Sequence, residues 1–146
     1  MGPRYILLVE DNPDDEELTL LSLRKHDKAI EIVVTRDGVE ALEYLFGEGR
    51  YAGREVSRLP TVILLDLKLP KLDGLGVLRR LRDDARTRHV PVVVLTSSSQ
   101  DADIVMSYQL GANSYIRKPV EFGELTDTVS KVGFYWMALN RSPTGI

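Results

Sequence analysis

The chain has no cysteine. That excludes disulfides, thiolate metal sites and a cysteine nucleophile. No apolar run approaches the roughly 20 residues needed to span a membrane. The opening residues, MGPR, lead straight into a strand-like run, without the apolar core and small-residue cleavage site of a signal peptide. Gly2 would suit myristoylation, but the motif requires Ser or Thr where Ile6 stands. A cytoplasmic protein is expected. An excess of positive charge is also missing: 19 Lys and Arg stand against 22 Asp and Glu, a formal charge of −3. Without a broad basic field, no nucleic-acid partner and no membrane partner is expected. There is no internal repeat and no low-complexity segment. The 146 residues, 43% of them hydrophobic, suffice for one domain with a substantial core.

Residues 61–74, TVILLDLKLPKLDG, are the stretch around which the rest is arranged. Val62, Ile63, Leu64 and Leu65 form an apolar run without polar alternation, which suits a strand covered on both faces, as in a parallel sheet. Asp66 follows at the strand's C-terminal end, where ligands of open α/β sheets bind. Alone, Asp66 reads equally well as the opener of a turn shaped by Pro70 and Gly74.

The same grammar repeats along the chain. Residues 4–9, RYILLV, predict a first strand ending at Glu10 and Asp11; Pro13 and the acids after it predict a helix start, with Leu18, Leu21 and Leu23 facing the core. Residues 31–35 predict a second strand, followed by a helix carrying Val39, Leu42, Leu45 and Phe46. Residues 47–60 show no period. At more than twice the usual connection of about 2 to 6 residues, this inserted loop is expected to be an interaction surface or a mobile insertion.

Beyond Asp66, Leu75, Val77, Leu78 and Leu81 predict a helix with Arg79, Arg80 and Arg82 exposed. Residues 90–95 predict a fourth strand that delivers Thr96, and 100–110 a helix closed by Gly111. Residues 114–117 read as an edge strand that delivers Lys118. A last helix is expected over 120–140, with Phe122, Leu125, Val129, Val132, Trp136 and Leu139 on one seam. Phe122 through Val132 are expected in the core. At about 1.5 Å per residue the helix overruns a short edge strand, so its aromatic end is expected to bury itself against a partner. Five strands alternating with five helices predict a doubly wound, parallel α/β sheet with right-handed crossovers.

That topology gathers Glu10, Asp11, Asp66, Thr96 and Lys118 at one sheet edge. Each has a bland alternative as a helix cap, a strand residue or a solvated charge. Together they do not, because three close carboxylates repel without a cation. Oxygen donors with no histidine or cysteine nearby favour Mg²⁺ over zinc. An aspartate is a nucleophile toward phosphorus, and phosphoryl transfer needs in-line positioning and positive charge, which Mg²⁺ and Lys118 supply; the Thr96 hydroxyl can donate to a phosphoryl oxygen.

Glu10-Asp11, Asp66 in LLDLKLPKLDG, Thr96-Ser97 and Tyr115-Ile116-Arg117-Lys118-Pro119 resemble the receiver domain of two-component response regulators, over about 4–139. The resemblance implies a flavodoxin-like (βα)5 fold of strand order 2-1-3-4-5. It implies that Asp66 accepts a phosphoryl group from a phosphohistidine on a sensor histidine kinase. Asp11, Asp66 and the Lys68 backbone carbonyl would bind Mg²⁺, with Glu10 acting through metal-bound water. Lys118 would pair with the phosphoryl group, ahead of a cis Pro119. Thr96 would move toward the phosphoryl oxygen and Tyr115 would rotate inward, changing the face formed by the fourth and fifth helices and the last strand.

Ser97, where receivers often have Ala, and Lys68, two residues after the phosphoacceptor, depart from the common pattern and bear on phosphoryl lifetime. With no effector domain after the fifth helix, the expected organisation is a single receiver domain over 1–146, with the inserted loop at 47–60 and a helix extension and tail at 133–146. The insertion and Phe134-Tyr135-Trp136 also resemble stand-alone regulators that partner bacterial phytochromes, which dimerise through their last helices. A homodimer through Phe134, Tyr135 and Trp136 is therefore expected, with an unidentified downstream protein or phosphotransfer partner. The alternatives are a phosphorylation-independent receiver-like scaffold and an aspartate-nucleophile phosphohydrolase; Lys68 stands where the latter wants a second acid. A flavodoxin is disfavoured because EDNPDD after the first strand would repel phosphate.

Overall fold

A computed structural model describes residues 4–143. The opening MGP, including Gly2, and the last three residues of the tail lie outside the described residues. Five parallel strands, β1 (Tyr5–Val9), β2 (Glu31–Thr35), β3 (Val62–Leu65), β4 (Val92–Thr96) and β5 (Ser114–Arg117), form one sheet of order β2-β1-β3-β4-β5. Between and after them run α1 (Pro13–Leu23), α2 (Gly38–Phe46), α3 (Gly74–Asp83), α4 (Asp101–Gln109) and α5 (Phe122–Phe134). This is the flavodoxin-like order expected.

Successive strand side chains point to opposite faces, and both faces are covered. Ile6, Leu8, Val62, Leu64, Val93 and Leu95 pack with Leu23 of α1 and Leu125 and Val129 of α5. Tyr5, Leu7, Val9, Ile63, Leu65, Val92 and Val94 pack on the other side with Leu42 and Leu45 of α2 and Val77, Leu78 and Leu81 of α3. Double coverage explains why β3 and β4 read as unbroken apolar runs. Among the described residues, no helix is long and apolar enough to cross a membrane.

Several expectations are corrected. Leu21 is 62% exposed; α1 instead turns Leu18, Leu20 and Leu23 to the core. Val39 and Phe122 are exposed too, each at the first turn of its helix, where the chain is still entering the layer. Arg82 is not a solvated charge. Its half-buried guanidinium donates to the Gly111 carbonyl (2.9 Å), the Val90 carbonyl (2.8 Å) and Asn113 Oδ1 (3.0 Å), tying α3 to the turns flanking β4 and β5.

The last helix is not one α-helix. It widens after Phe134 into a π-helical turn over Tyr135–Leu139, closed by Asn140 N donating to the Tyr135 carbonyl at 2.8 Å. Arg4 donates to the carbonyls of Met137 (2.7 Å) and Trp136 (3.1 Å), satisfying acceptors that a helix end leaves open. Trp136 and Met137 pack against the sheet, while Phe134, Tyr135 and Leu139 are exposed. The overrun is thus partly folded back on its own domain.

The inserted loop is anchored as well. Tyr51 meets the Tyr44 ring edge-on at 5.2 Å and its hydroxyl donates to Glu40 at 2.7 Å. Arg54 stacks over the Tyr44 ring, 4.0 Å from its centroid, and Arg58 lies over Tyr5 at 4.7 Å. The Tyr5 hydroxyl donates back to the Arg58 carbonyl at 2.7 Å. Interleaved aromatic and guanidinium planes hold the segment on α2 and the start of β1.

Candidate functional site

Asp66 follows the last residue of β3, and its own N–H continues the ladder to the Val9 carbonyl at 3.2 Å. The loop after it is closed by the Gly74 N–H donating to the Leu67 carbonyl at 2.8 Å, and Asp73 caps α3 by accepting from Gly76 N at 2.8 Å. Gly74 is required by space rather than by its torsion angles. A Cβ there would sit 2.3 Å from the Asp66 carbonyl oxygen and 2.7 Å from Leu67 Cα. Lys71 takes a left-handed conformation, φ 68°, in the same loop.

Glu10 ends β1 in the same way, with its N–H on the Thr35 carbonyl at 3.0 Å. Asn12 then caps α1, its side chain accepting from the N–H groups of Asp14 (2.9 Å) and Asp15 (3.1 Å). Helix α1 therefore starts over the C-terminal ends of β1 and β3. Lys118 comes in from the far edge, its N–H held by the Thr96 carbonyl at 2.7 Å.

The side chains converge. Lys118 Nζ donates to Glu10 Oε1 at 2.6 Å, Asp15 Oδ2 at 3.0 Å and Asp66 Oδ2 at 3.1 Å. Carboxylate oxygens of Glu10, Asp11 and Asp66 lie within 4.8 Å of one another, with Glu10 and Asp66 buried and Asp11 exposed. Burial pushes the Glu10 carboxyl up to about 7, against the opposing pull of Lys118. Burial lowers the Lys118 ammonium, but its bond to Glu10 and the charges of Asp66 and Glu10 outweigh that, so it is raised and stays a cation. One ammonium among four carboxylates leaves the pocket negative. The donors are all oxygens, grouped within one coordination sphere and open to solvent on the Asp11 side. That set fits a hard divalent cation such as Mg²⁺.

Thr96 is fully buried at the end of β4, and Ser98 N approaches its Oγ1 at 3.5 Å. Tyr115 is half-buried and its hydroxyl donates to the Ser98 carbonyl at 2.9 Å, linking β5 to the loop after Thr96. Lys68 is exposed, and its backbone N–H donates to Asp66 Oδ1 at 3.2 Å. Among the described residues no peptide bond is cis, so the Lys118–Pro119 bond is trans where the resemblance implied cis. Phe134, Tyr135 and Trp136 lie away from the pocket, on and beyond the end of α5.

Two contributors were not anticipated. Asp15 reads in sequence as one more acid favouring a helix N-terminus; its position in the first turn of a helix that starts over the site is the signal that could have found it. Ser98 Oγ donates to Asp103 Oδ2 at 2.5 Å, fastening the loop after β4 to the first turn of α4.

The model of the response regulator receiver domain matches residues 6–130. The chain belongs to the response regulator receiver family. Relatives of this receiver include the probable methanogenesis regulatory protein FilR2 of Methanothrix harundinacea, 43% identical over 97% of this chain and 88% of its own length. The response regulator Rcp1 of Synechocystis is 37% identical over 92% of this chain and 90% of its own. The manganese-bound form of Rcp1 superposes with a TM-score of 0.89, covering 97% of this receiver and 99% of that chain at 35% identity. The phosphorylated cyanobacterial phytochrome response regulator RcpA superposes with a TM-score of 0.90 at 39% identity, over the same shares of the two chains.

Proposed function

We propose that this receiver is a stand-alone response regulator that takes a phosphoryl group onto Asp66 from a phosphohistidine of a sensor histidine kinase, in a Mg²⁺-dependent reaction. The observation that carries this reading is the convergence on one buried carboxylate of the Lys118 ammonium, from the end of β5, and of two further acids, Glu10 and Asp11, from the end of β1. Asp66 is the nucleophile: its Oδ–P bond forms as the donor's P–N bond breaks, and that electron pair leaves on the imidazole nitrogen. Glu10, Asp11, Asp66 and the Lys68 carbonyl would hold the ion, which supplies charge against the phosphoryl oxygens. Lys118 supplies a second cation, and Thr96 a hydroxyl donor from the neighbouring strand end. Tyr115, tied to the loop after Thr96, carries the change to the face of α4, β5 and α5. Only a few kcal/mol of bias between two arrangements are needed for such a switch.

The stand-alone reading is supported by relatives whose own lengths are covered to nine-tenths or more, and a phytochrome kinase as donor by the likeness to RcpA, a phytochrome response regulator. Incubation with acetyl phosphate is expected to add one phosphate per chain, mapped to Asp66, and to fail when EDTA removes Mg²⁺. Phosphotransfer from a panel of sensor kinases then identifies the donor. Labelling that survives EDTA, or maps elsewhere, rules the reading out.

The homodimer belongs to the same proposal. Phe134 and Tyr135 are 47% and 48% exposed, whereas Trp136 is half-buried against the sheet. The pair therefore carries the contact, with Trp136 shaping its support. Joint Phe134→Ala and Tyr135→Ala substitution is expected to weaken self-association about tenfold or more in sedimentation equilibrium. A wild-type chain that sediments as a monomer at every concentration removes this part.

A further inference from the structure

All three N–H donors of the Lys118 ammonium are already committed. They meet Glu10 Oε1 at 2.6 Å, Asp15 Oδ2 at 3.0 Å and Asp66 Oδ2 at 3.1 Å. Phosphorylation turns the Asp66 carboxylate into an acyl phosphate, so the bond to Asp66 passes to a phosphoryl oxygen, and a second phosphoryl oxygen can gain an N–H from Lys118 only if one of the other two partners gives way.

The other two partners differ in what they lose by letting go. The Glu10 side chain is only 2% exposed. A carboxylate left there without its cation is buried and unpaired, which is strongly unfavourable. The Asp15 side chain is 35% exposed, and water can replace the ammonium. It also lies in the first turn of α1, where the positive end of the helix dipole stabilises a free carboxylate.

We infer that Asp15 is the exchangeable partner of Lys118: it positions the ammonium before phosphorylation, yields it to the phosphoryl group afterwards, and so shortens the life of the phosphorylated state. Asp15 is then a positioning residue that sets how strongly the phosphoryl group must compete for its cation. The side chain freed on release is displayed on the first turn of α1, so the same exchange reports the state of the pocket at the protein surface. This inference rests on the reading of Asp66 as phosphoacceptor.

The test uses the full chain labelled with acetyl phosphate and Mg²⁺, and follows loss of phosphate after the donor is removed. Asp15→Asn is expected to lengthen the phosphoryl lifetime about fivefold, the scale of one partly exposed charged hydrogen bond. Asp15→Glu is expected to return toward the wild-type lifetime. Asp14→Asn removes the same charge from an exposed position in the same turn and is expected to change the lifetime by less than about 1.5-fold. Mg²⁺ affinity without donor is expected to fall or stay level in Asp15→Asn, which a general tightening of the site would not produce. An unchanged or shorter lifetime in Asp15→Asn, or an equal effect of Asp14→Asn, overturns the inference while a wild-type chain labelled on Asp66 leaves the functional reading standing. A wild-type chain that takes up no phosphate ends both.

Discussion

Asp66→Asn is expected to abolish phosphoryl uptake and, in metal-free solution, to raise the melting temperature. The two effects share one cause. Asp66 is buried beside Glu10, whose carboxyl burial already pushes up to about 7 with the Asp66 charge adding to the rise, and both lean on the Lys118 ammonium. Replacing Asp66 by the isosteric amide removes a negative charge from an over-supplied pocket while Asn can still accept the Lys68 N–H through its oxygen. A gain of about 1 kcal/mol corresponds to roughly 2 to 4 °C at this size. An amide is not a nucleophile toward phosphorus, so the label should vanish. Saturating Mg²⁺ should shrink the stability gap, because the cation repays the wild-type pocket more than the variant. A calorimetric melt with and without Mg²⁺, beside a phosphorylation assay, checks both; a metal-free variant that melts below the wild type contradicts the charge argument.

Gly74→Ala is expected to destabilise the protein by about 3 kcal/mol, lowering the melting temperature by roughly 10 °C. The added Cβ would lie 2.3 Å from the Asp66 carbonyl oxygen and 2.7 Å from Leu67 Cα, and both atoms are backbone. No rotamer change relieves such a contact. Helix α3 must back away from the end of β3, or the loop holding Asp66 must shift. The Gly74 N–H bond to the Leu67 carbonyl is strained in either case. Phosphoryl uptake should therefore slow about tenfold even in the folded fraction, since sub-ångström placement matters for in-line transfer. Urea unfolding reads the first effect and acetyl phosphate labelling of the native fraction the second. A loss below about 0.5 kcal/mol would show that the loop gives way without resistance.

Much of the site was legible because of a rule of topology. In a parallel sheet every strand's C-terminal end lies on one edge, so Glu10, Asp66, Thr96 and Lys118 could be brought together by counting apolar runs alone. What the counting missed is helical phase. Whether Leu20 or Leu21 faces the sheet, and whether Asp15 reaches Lys118, depends on rotating α1 by a fraction of a turn. Its leucines are too numerous and its acids too many for the periodicity to choose. Arg82 escaped for a different reason: a guanidinium seeking three carbonyl and amide oxygens leaves no mark in a hydrophobic pattern. The aromatic seam of α5 was readable, but the π-helical widening was not, and the Arg4 that meets its carbonyls arrives from the far end of the chain.

The inserted loop acquires a meaning from where its staples fall. Arg58 engages Glu31 at the start of β2 and Tyr5 at the start of β1, while the acids gather where those strands end. Strands of five residues, β1 buried throughout and β2 partly, separate the two rims by about 16 Å of hydrogen-bonded backbone. Rearrangement among the acids therefore has no soft path to the loop. Ala52, at its tip, is exposed and sits at φ −56°, a conformation any side chain adopts. The protein thus carries a sheltered point of attachment, where a fluorophore or tether can ride along while the opposite rim changes state.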